Sequence, residues 1–299
     1  MKIFVIIVTY KGNQWYERCF TSLRKSSIPV NTIVVDNASN DGTVEYIREH
    51  FPEIHLIESK ENLGFGRANN LGMRYALDNG CDYVFLLNQD AWLDDAETLR
   101  NLVEIYEKYP EYGILSPMHL NVDKTTLLMR SFSSQPGNEK LISDLYLRSL
   151  DEVYNTTYIH AAAWMLSRQT LLIVGGFDPI YFHYGEDDNY MHRVLFHGLK
   201  IGVCPSTCIV HDHHDSKITN EIRDRRELQS MLVDWTNINK SFSFCKVIFY
   251  YIRKYIIFLF SSKKYLSKVI KKKILYCSKM KKSIVYSRNI NIQRGSSWL

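Results

Sequence analysis

Thr32-Ile33-Val34-Val35-Asp36-Asn37-Ala38-Ser39-Asn40-Asp41-Gly42 sets a short β-branched run directly against turn and capping residues. The run predicts a buried strand, and the Ser39, Asn40 and Asp41 side chains can accept the free N–H groups that open a helix. Val44, Ile47 and Phe51 then recur at helical spacing until Pro52 ends the segment. Upstream, Trp15, Cys19, Phe20 and Leu23 mark another helix, preceded by the continuous apolar run Ile3 to Val8, the pattern of a strand covered on both faces. Downstream, Ile54 to Ile57 reads as a third strand. A helix opened by Asn62-Leu63-Gly64-Phe65-Gly66-Arg67 runs to Asn79-Gly80, where glycine can take the left-handed C-cap, and Tyr83 to Leu87 is a fourth strand. Strands alternating with helices imply an α/β fold with a mostly parallel sheet flanked by helices. Ligands of such sheets sit at the carboxyl ends of strands, where Asp36 and Asp90 fall. Residues 120–157 read as a loop-rich excursion with edge strands, and periodicity returns at Leu166 to Val174 and in a helix from Glu186.

A chain of 299 residues with 45% apolar composition can bury a full core, which excludes disorder throughout. The net charge of +5 is divided unevenly: residues 241–299 hold 14 basic and no acidic side chains, and residues 1–240 hold 23 basic and 32 acidic. An acidic body argues against a nucleic-acid enzyme, while the basic tail attracts polyanions. The six cysteines are scattered through a chain with a large core, which points to a reducing compartment rather than a disulfide framework. The apolar start is short and flows into Thr9-Tyr10-Lys11-Gly12-Asn13 with no small-residue cleavage site, so it reads as a strand and not a signal peptide.

The chemistry-bearing residues come at the ends of their elements. Asn88-Gln89-Asp90 ends the fourth strand, and Gly185-Glu186-Asp187-Asp188 opens a helix. With His211 they offer oxygen and nitrogen ligands for one divalent ion. The plainer account of the acids is helix capping and complementation of the helix dipole. Gly64 and Gly66 allow close backbone approach, and Arg67 adds a cation where a helix N-terminus already favours phosphate. Gly64-Phe65-Gly66 does not make a dinucleotide fingerprint, because Asn69 stands at the third glycine and the segment does not follow the first strand. Cys204 and Cys208, followed by His211 and His213, imitate a zinc site, but Ile201 and Val203 favour a strand with small buried thiols.

Together these residues resemble family 2 glycosyltransferases, the inverting GT-A enzymes, and within them the branch that includes bacterial rhamnosyltransferases. The resemblance spans residues 3 to about 216. It rests on Val8-Thr9-Tyr10, Val35-Asp36-Asn37, Asn62 to Asn70, Asn88-Gln89-Asp90, Gly175-Gly176-Phe177-Asp178, Gly185 to Asp188 and His211, all in family order. It implies nucleotide-sugar binding by Thr9, Tyr10, Asp36, Asn37, Gly64, Arg67, Asn69, Asn88 and Asp90. It further implies Mn2+ or Mg2+ held by Asp90 and His211, Asp187 as general base, and Glu186 and Asp188 as positioning groups. Asn88 stands where the family has an aspartate, which leaves the site one negative charge weaker. The implied reaction moves a sugar, L-rhamnose from dTDP-rhamnose as the first expectation, to a glycan or polyprenyl-linked acceptor in bacterial surface polysaccharide synthesis. A UDP-hexose donor and a degenerate, non-catalytic nucleotide-binding member of the fold are the alternatives. Trp164 and Tyr184 are candidate sugar-stacking platforms, against the commoner role of aromatic residues as core.

The expected division is a catalytic domain over 1–218 and a helical, basic extension over 219–299. Leu228, Met231, Leu232 and Trp235 form a helical stripe expected to pack on the catalytic domain. Residues 247–260 are mostly aromatic and aliphatic but fall short of the ~20 needed to span a bilayer. On one continuous helical wheel Lys246, Arg253, Lys264, Lys268 and Lys271 fall together, a stripe suited to an anionic membrane surface. The expectation is a cytoplasmic protein, peripheral on the inner face of the membrane, with no nucleic-acid partner.

Overall fold

The structure is a computed structural model and describes residues 1–128, 139–212, 219–261 and 265–299. The chain divides into two units, Met1–Ser216 together with Arg294–Leu299, and Lys217–Gln293. The last six residues, expected in the extension, therefore belong with the first unit: Ser297 accepts the Gly176 N–H at 2.8 Å and Gly295 N–H bonds the Ile173 carbonyl at 3.0 Å.

The first unit begins with the anticipated alternation: β1 (Ile3–Thr9), α1 (Asn13–Arg24), β2 (Asn31–Asp36), α2 (Thr43–His50), β3 (His55–Glu58), α3 (Phe65–Asp78) and β4 (Tyr83–Leu87). It continues with β5 (Ala91–Leu93), α4 (Thr98–Lys108), β6 (Tyr112–Leu120), α5 (Glu139–Leu147), β7 (Tyr154–Thr156), β8 (Ala163–Ser167), α6 (Arg168–Val174), α7 (Glu186–Phe196) and β9 (Lys200–His211). The strands form one sheet in the order β3-β2-β1-β4-β8-β6-β9-β5, with β7 also on β9. It is parallel across β3-β2-β1-β4, in register Val8 with Val35 and Ile6 with Leu86. Beyond β4 it is mixed, because β8 runs antiparallel to both β4 and β6 while β6 and β9 are parallel.

Successive side chains of a strand face opposite ways, and β1 shows the consequence. Ile3, Val5 and Ile7 join one core with Phe20 and Leu23 of α1 and Leu102 of α4. Phe4 and Ile6 join the other with Met73 and Ala76 of α3 and Val194 of α7. The carboxyl ends of β1, β2 and β4 thus share one edge, with the loops after β1, β2 and β4 and before α3 around it. Within 120–157 the edge strand is β7. The helix α5, which the sequence pattern did not predict, buries Leu141 and leaves Tyr146 and Leu147 exposed.

The second unit holds α8 (Asn220–Thr236), α9 (Phe244–Leu259) and α10 (Tyr265–Asn291). Trp235 lies 6.2 Å from the Tyr276 ring, and Asp224 and Glu227 pair with Lys272 and Lys273. The Arg288 guanidinium donates to the carbonyls of Trp235, Asn237 and Lys240 at 3.0, 2.6 and 2.6 Å, which satisfies acceptors left open where α8 ends. The stripe was expected on one continuous helix, but α9 ends at Leu259 and α10 begins at Tyr265 as a separate helix. Lys246 and Arg253 lie on α9, Lys268 and Lys271 on α10, and Lys264 lies outside the described residues.

Candidate functional site

A cleft of about 350 Å³ opens at the carboxyl edge of the parallel strands, lined by Val8, Tyr10, Asn37, Asn62, Gly64, Phe65, Asn88, Gln89, Asp90, Phe182 and His183. A groove of about 420 Å³ between α1 and β5, lined in part by Glu17, Arg18 and Trp92, contains none of the expected site residues.

Three side-chain amides fix the loops around the cleft. An amide presents one acceptor and two donors and can pair with backbone in the manner of a neighbouring strand. Gln89 accepts the Tyr10 N–H at 2.8 Å and donates to the Tyr10 carbonyl at 3.2 Å. Asn37 accepts the Leu63 N–H at 3.1 Å and donates to the Gly64 carbonyl at 3.2 Å. Asn70 accepts the Phe177 N–H at 2.7 Å and donates to the Phe177 carbonyl at 2.8 Å. The last bond ties α3 to Gly175-Gly176-Phe177-Asp178, and α7 holds the same turn. There Arg193, buried, donates to the carbonyls of Val174 at 2.7 Å and Gly176 at 2.5 Å, and Tyr190 Oη donates to Gly175 at 3.1 Å.

Gly64 is required by the chain's own backbone: its φ is +79°, and a Cβ there would lie 1.9 Å from the Phe182 carbonyl oxygen. Asn69 is buried and donates to the Phe65 carbonyl one turn back, and Trp164 is 0% exposed and stacked near Phe177; neither side chain lines the cleft. Tyr184 is 51% exposed. Thr9 and Asp36 lie behind the cleft wall: Thr9 Oγ1 donates to one Asp36 oxygen at 3.0 Å and the Ser39 N–H to the other at 2.9 Å. Asp36 therefore braces the loop after β2. Arg67 is exposed in the first turn of α3 and donates to the Pro179 carbonyl at 3.1 Å. Tyr10, Asn37, Gly64, Asn88 and Asp90 do line the cleft.

The acidic cluster opens α7, behind Gly185 at φ +92°. Glu186 is 5% exposed, and its Oε2 has no hydrogen-bond partner among the described residues. Burial first, and the negative charge of Asp187 next, push its carboxyl up to about 8. The same two causes raise Asp188. Asp187 Oδ1 accepts the Asp188 N–H at 2.9 Å. Tyr158, just before β8, feels the charges of Asp187 and Asp188, which together with its dominant burial raise its phenol and keep it protonated.

Antiparallel pairing of β5 with β9 sets Ala91 opposite His211, and the Asp212 N–H bonds the Asp90 carbonyl at 2.8 Å. That register brings Asp90 Oδ1 to 3.4 Å from His211 Nε2. His160 and His119 lie with ring centroids 5.7 and 6.1 Å from His211, and burial drives His119 well below the usual imidazole range. The two donor atoms are close enough for one ion with bonds of about 2.1 Å, and carboxylate with imidazole suits a divalent cation. No cluster of three or more His, Cys, Asp or Glu arranged for a metal occurs among the described residues. Cys204 and Cys208 are unbridged on β9 and burial raises both thiols, while His213 and His214 lie outside the described residues.

Sequence reasoning missed Gln89, Arg193 and Tyr158 as site-building residues. Gln89 sat inside the quoted Asn88-Gln89-Asp90. For Arg193 the only signal was its position seven residues after Glu186, which puts both on one side of α7.

The archaeal low-salt glycan biosynthesis hexosyltransferase Agl10 of Haloferax volcanii is 26% identical over 221 residues, covering 70% of this chain and 66% of that protein. The dTDP-rhamnosyl transferase RfbF of Shigella flexneri is 24% identical over 217 residues, covering 72% of this chain and 71% of that protein. The mannosyltransferase PcManGT of Pyrobaculum calidifontis, solved with GDP-Man and Mn2+, superposes with a TM-score of 0.54 at 16% identity over 97% of this chain and 73% of its own, a likeness of fold. The mixed sheet with its flanking helices is accordingly the GT-A architecture. The Glycosyl transferase family 2 profile matches residues 4–172, more than half of the chain, and the protein belongs to that family.

Proposed function

We propose that the protein is an inverting, metal-dependent glycosyltransferase that takes a sugar from a nucleotide diphosphate donor, L-rhamnose from dTDP-rhamnose in the first instance, and extends a polyprenyl-linked glycan of a bacterial surface polysaccharide. The observation that carries the reading is the Asp90–His211 pair, 3.4 Å apart beside the cleft that Asn88, Asp90 and Gly64 line. The rhamnosyl donor is supported by similarity to the Shigella enzyme. The work takes place in the cytoplasm, with the enzyme peripheral on the inner face of the membrane.

In the proposed reaction the acceptor hydroxyl oxygen attacks the anomeric carbon, the bond from that carbon to the diphosphate oxygen breaks, and the nucleotide diphosphate leaves from the opposite face. Asp187 takes the hydroxyl proton, a contribution of ~10²- to 10⁴-fold for a well-placed base. Glu186 and Asp188, both pushed toward their protonated forms, position the acceptor end of the site without competing for that proton. Arg67 adds a cation on the donor side. Mn2+ or Mg2+, held by Asp90 and His211, would supply Lewis-acid neutralisation of the diphosphate. Asn88 lines the donor pocket as a neutral oxygen donor to ribose or a bound water.

The test combines a thermal-shift screen against dTDP, UDP and GDP, with and without Mn2+, with the Asp187→Asn variant. A Mn2+-dependent shift with one diphosphate is expected, since selective binding to the native state raises apparent stability. Asp187→Asn should keep that shift and lose transfer by ~10²-fold or more. A shift with UDP alone would move the donor to a UDP-hexose. No shift with any nucleotide would leave the degenerate, non-catalytic reading, and unchanged transfer in Asp187→Asn would remove Asp187 as base.

A further inference from the structure

Helix α9 shows apolar side chains on two faces. Val247, Tyr251, Tyr255 and Phe258 are half-buried, and α9 packs along α10. The opposite arc is open. Phe249 is 70% exposed and Phe260 83%, with Ile252, Ile256 and Ile257 also exposed. At 100° per residue Phe249, Ile252 and Ile256 form one stripe, Phe260 follows directly after the helix's last residue, and Arg253 and Lys246 lie beside the stripe, between it and exposed Ile257. Lys254 stands over the Tyr250 ring at 4.6 Å. A helix packed only against its neighbour would carry polar residues on this outer arc.

The surroundings select the occupant. From residue 241 onward every charged side chain is basic, 14 of them with no acid. Pairing α9 with α9 of a second copy would set like charges beside one another. A surface of lipid phosphates complements them and accepts the aromatic side chains between its headgroups. At 16 residues α9 is about 24 Å long, and among the described residues no helix is long and apolar enough to cross a membrane. We propose that α9 lies in the plane of an anionic bilayer, with Phe249, Ile252, Ile256 and Phe260 inserted among the acyl chains and Lys246 and Arg253 at the phosphates. The inference deepens the peripheral-membrane part of the function proposed above and rests on it for its purpose, although binding is measurable without turnover.

The experiment is co-sedimentation of the full chain with phosphatidylcholine vesicles containing phosphatidylglycerol and with pure phosphatidylcholine vesicles. Wild-type protein should partition to the anionic vesicles, and added salt should release part of it. Phe249→Ser/Phe260→Ser should weaken partitioning at least about tenfold with the thermal midpoint unchanged, because both side chains are exposed. Lys246→Ser/Arg253→Ser should remove most of the preference for anionic over neutral lipid. Equal binding by the aromatic variant overturns the insertion. So does wild-type protein that ignores vesicles, or a dimer in analytical ultracentrifugation that dissociates in the aromatic variant without vesicle binding. Nucleotide thermal shifts measured on the same samples separate the readings: a nucleotide shift without vesicle binding overturns only the α9 assignment, and vesicle binding without any nucleotide shift overturns only the transferase.

Discussion

Glu186→Gln should make the protein more stable, by an amount set by pH. The Glu186 carboxyl is raised from 4.5 to about 8 because it is buried and sits beside the charge of Asp187. In the unfolded chain it ionises near its ordinary value, so between about pH 4.5 and 8 the folded state binds a proton that the unfolded state has released. Stability then falls as pH rises through this window, by about 1.4 kcal/mol per unit. Below the window both states are protonated and the penalty vanishes; above it both are ionised and the penalty is constant. Glutamine keeps the side-chain volume and removes the ionisation. The variant should match wild type at pH 4.5, exceed it by about 3 kcal/mol at pH 7, and level off at about 5 kcal/mol above pH 8. Urea unfolding of both proteins in EDTA at a series of pH values, followed by tryptophan fluorescence, measures the difference. A gap that does not change with pH would refute the argument, because it would mean that Glu186 ionises alike in both states.

Gly64→Ala and Gly42→Ala make a matched pair. Both glycines have positive φ, +79° and +84°, but a Cβ at Gly42 meets nothing within 4 Å, whereas at Gly64 it meets the Phe182 carbonyl at 1.9 Å. Gly42→Ala should cost about 1 kcal/mol and Gly64→Ala well over about 3 kcal/mol or soluble expression itself, and equal costs would show that the Phe182 contact is unimportant. Asn37→Asp keeps the acceptor for the Leu63 N–H but turns a carboxylate oxygen toward the Gly64 carbonyl, now 3.2 Å from a donor. Calorimetric titration should find weaker nucleotide binding, and urea unfolding a loss of about 1–3 kcal/mol; an unaltered protein in both would dismiss the clamp.

The parallel half of the sheet was legible because local pattern and tertiary outcome agree there. Ile3 to Ile7 and Ile33 to Val35 are buried on both faces, so they are apolar throughout, and the helices between them repeat at 3.6 residues. The antiparallel half was less so. β8 enters between β4 and β6 from more than forty residues further along the chain, and no local periodicity encodes which strand it joins. The helix α5 escaped for a different reason: Leu141 is buried while Ile142, Tyr146 and Leu147 are exposed, so its apolar residues do not keep to one buried face. The continuous basic stripe failed because a helical wheel assumes one unbroken helix, and the chain ends α9 at Leu259.

The site divides along the same line. The sequence by itself put the proposed chemical groups, Asp90, Asp187 and His211 among them, at strand and helix ends, because residue types at those ends are a local matter. It also determined the charge of the tail. Only the tertiary structure decided which of the remaining site residues reach the cleft. Asp36, Asn69 and Trp164 are spent on the protein's own backbone or core, while Gln89, Asn70 and Arg193 hold the loops in place. A side chain's partners depend on groups far away in sequence, and a buried amide or guanidinium must find hydrogen bonds wherever the fold supplies them. The Asp90–His211 contact exists only because β5 and β9 pair in one register, and a shift by one residue would turn those side chains to opposite faces.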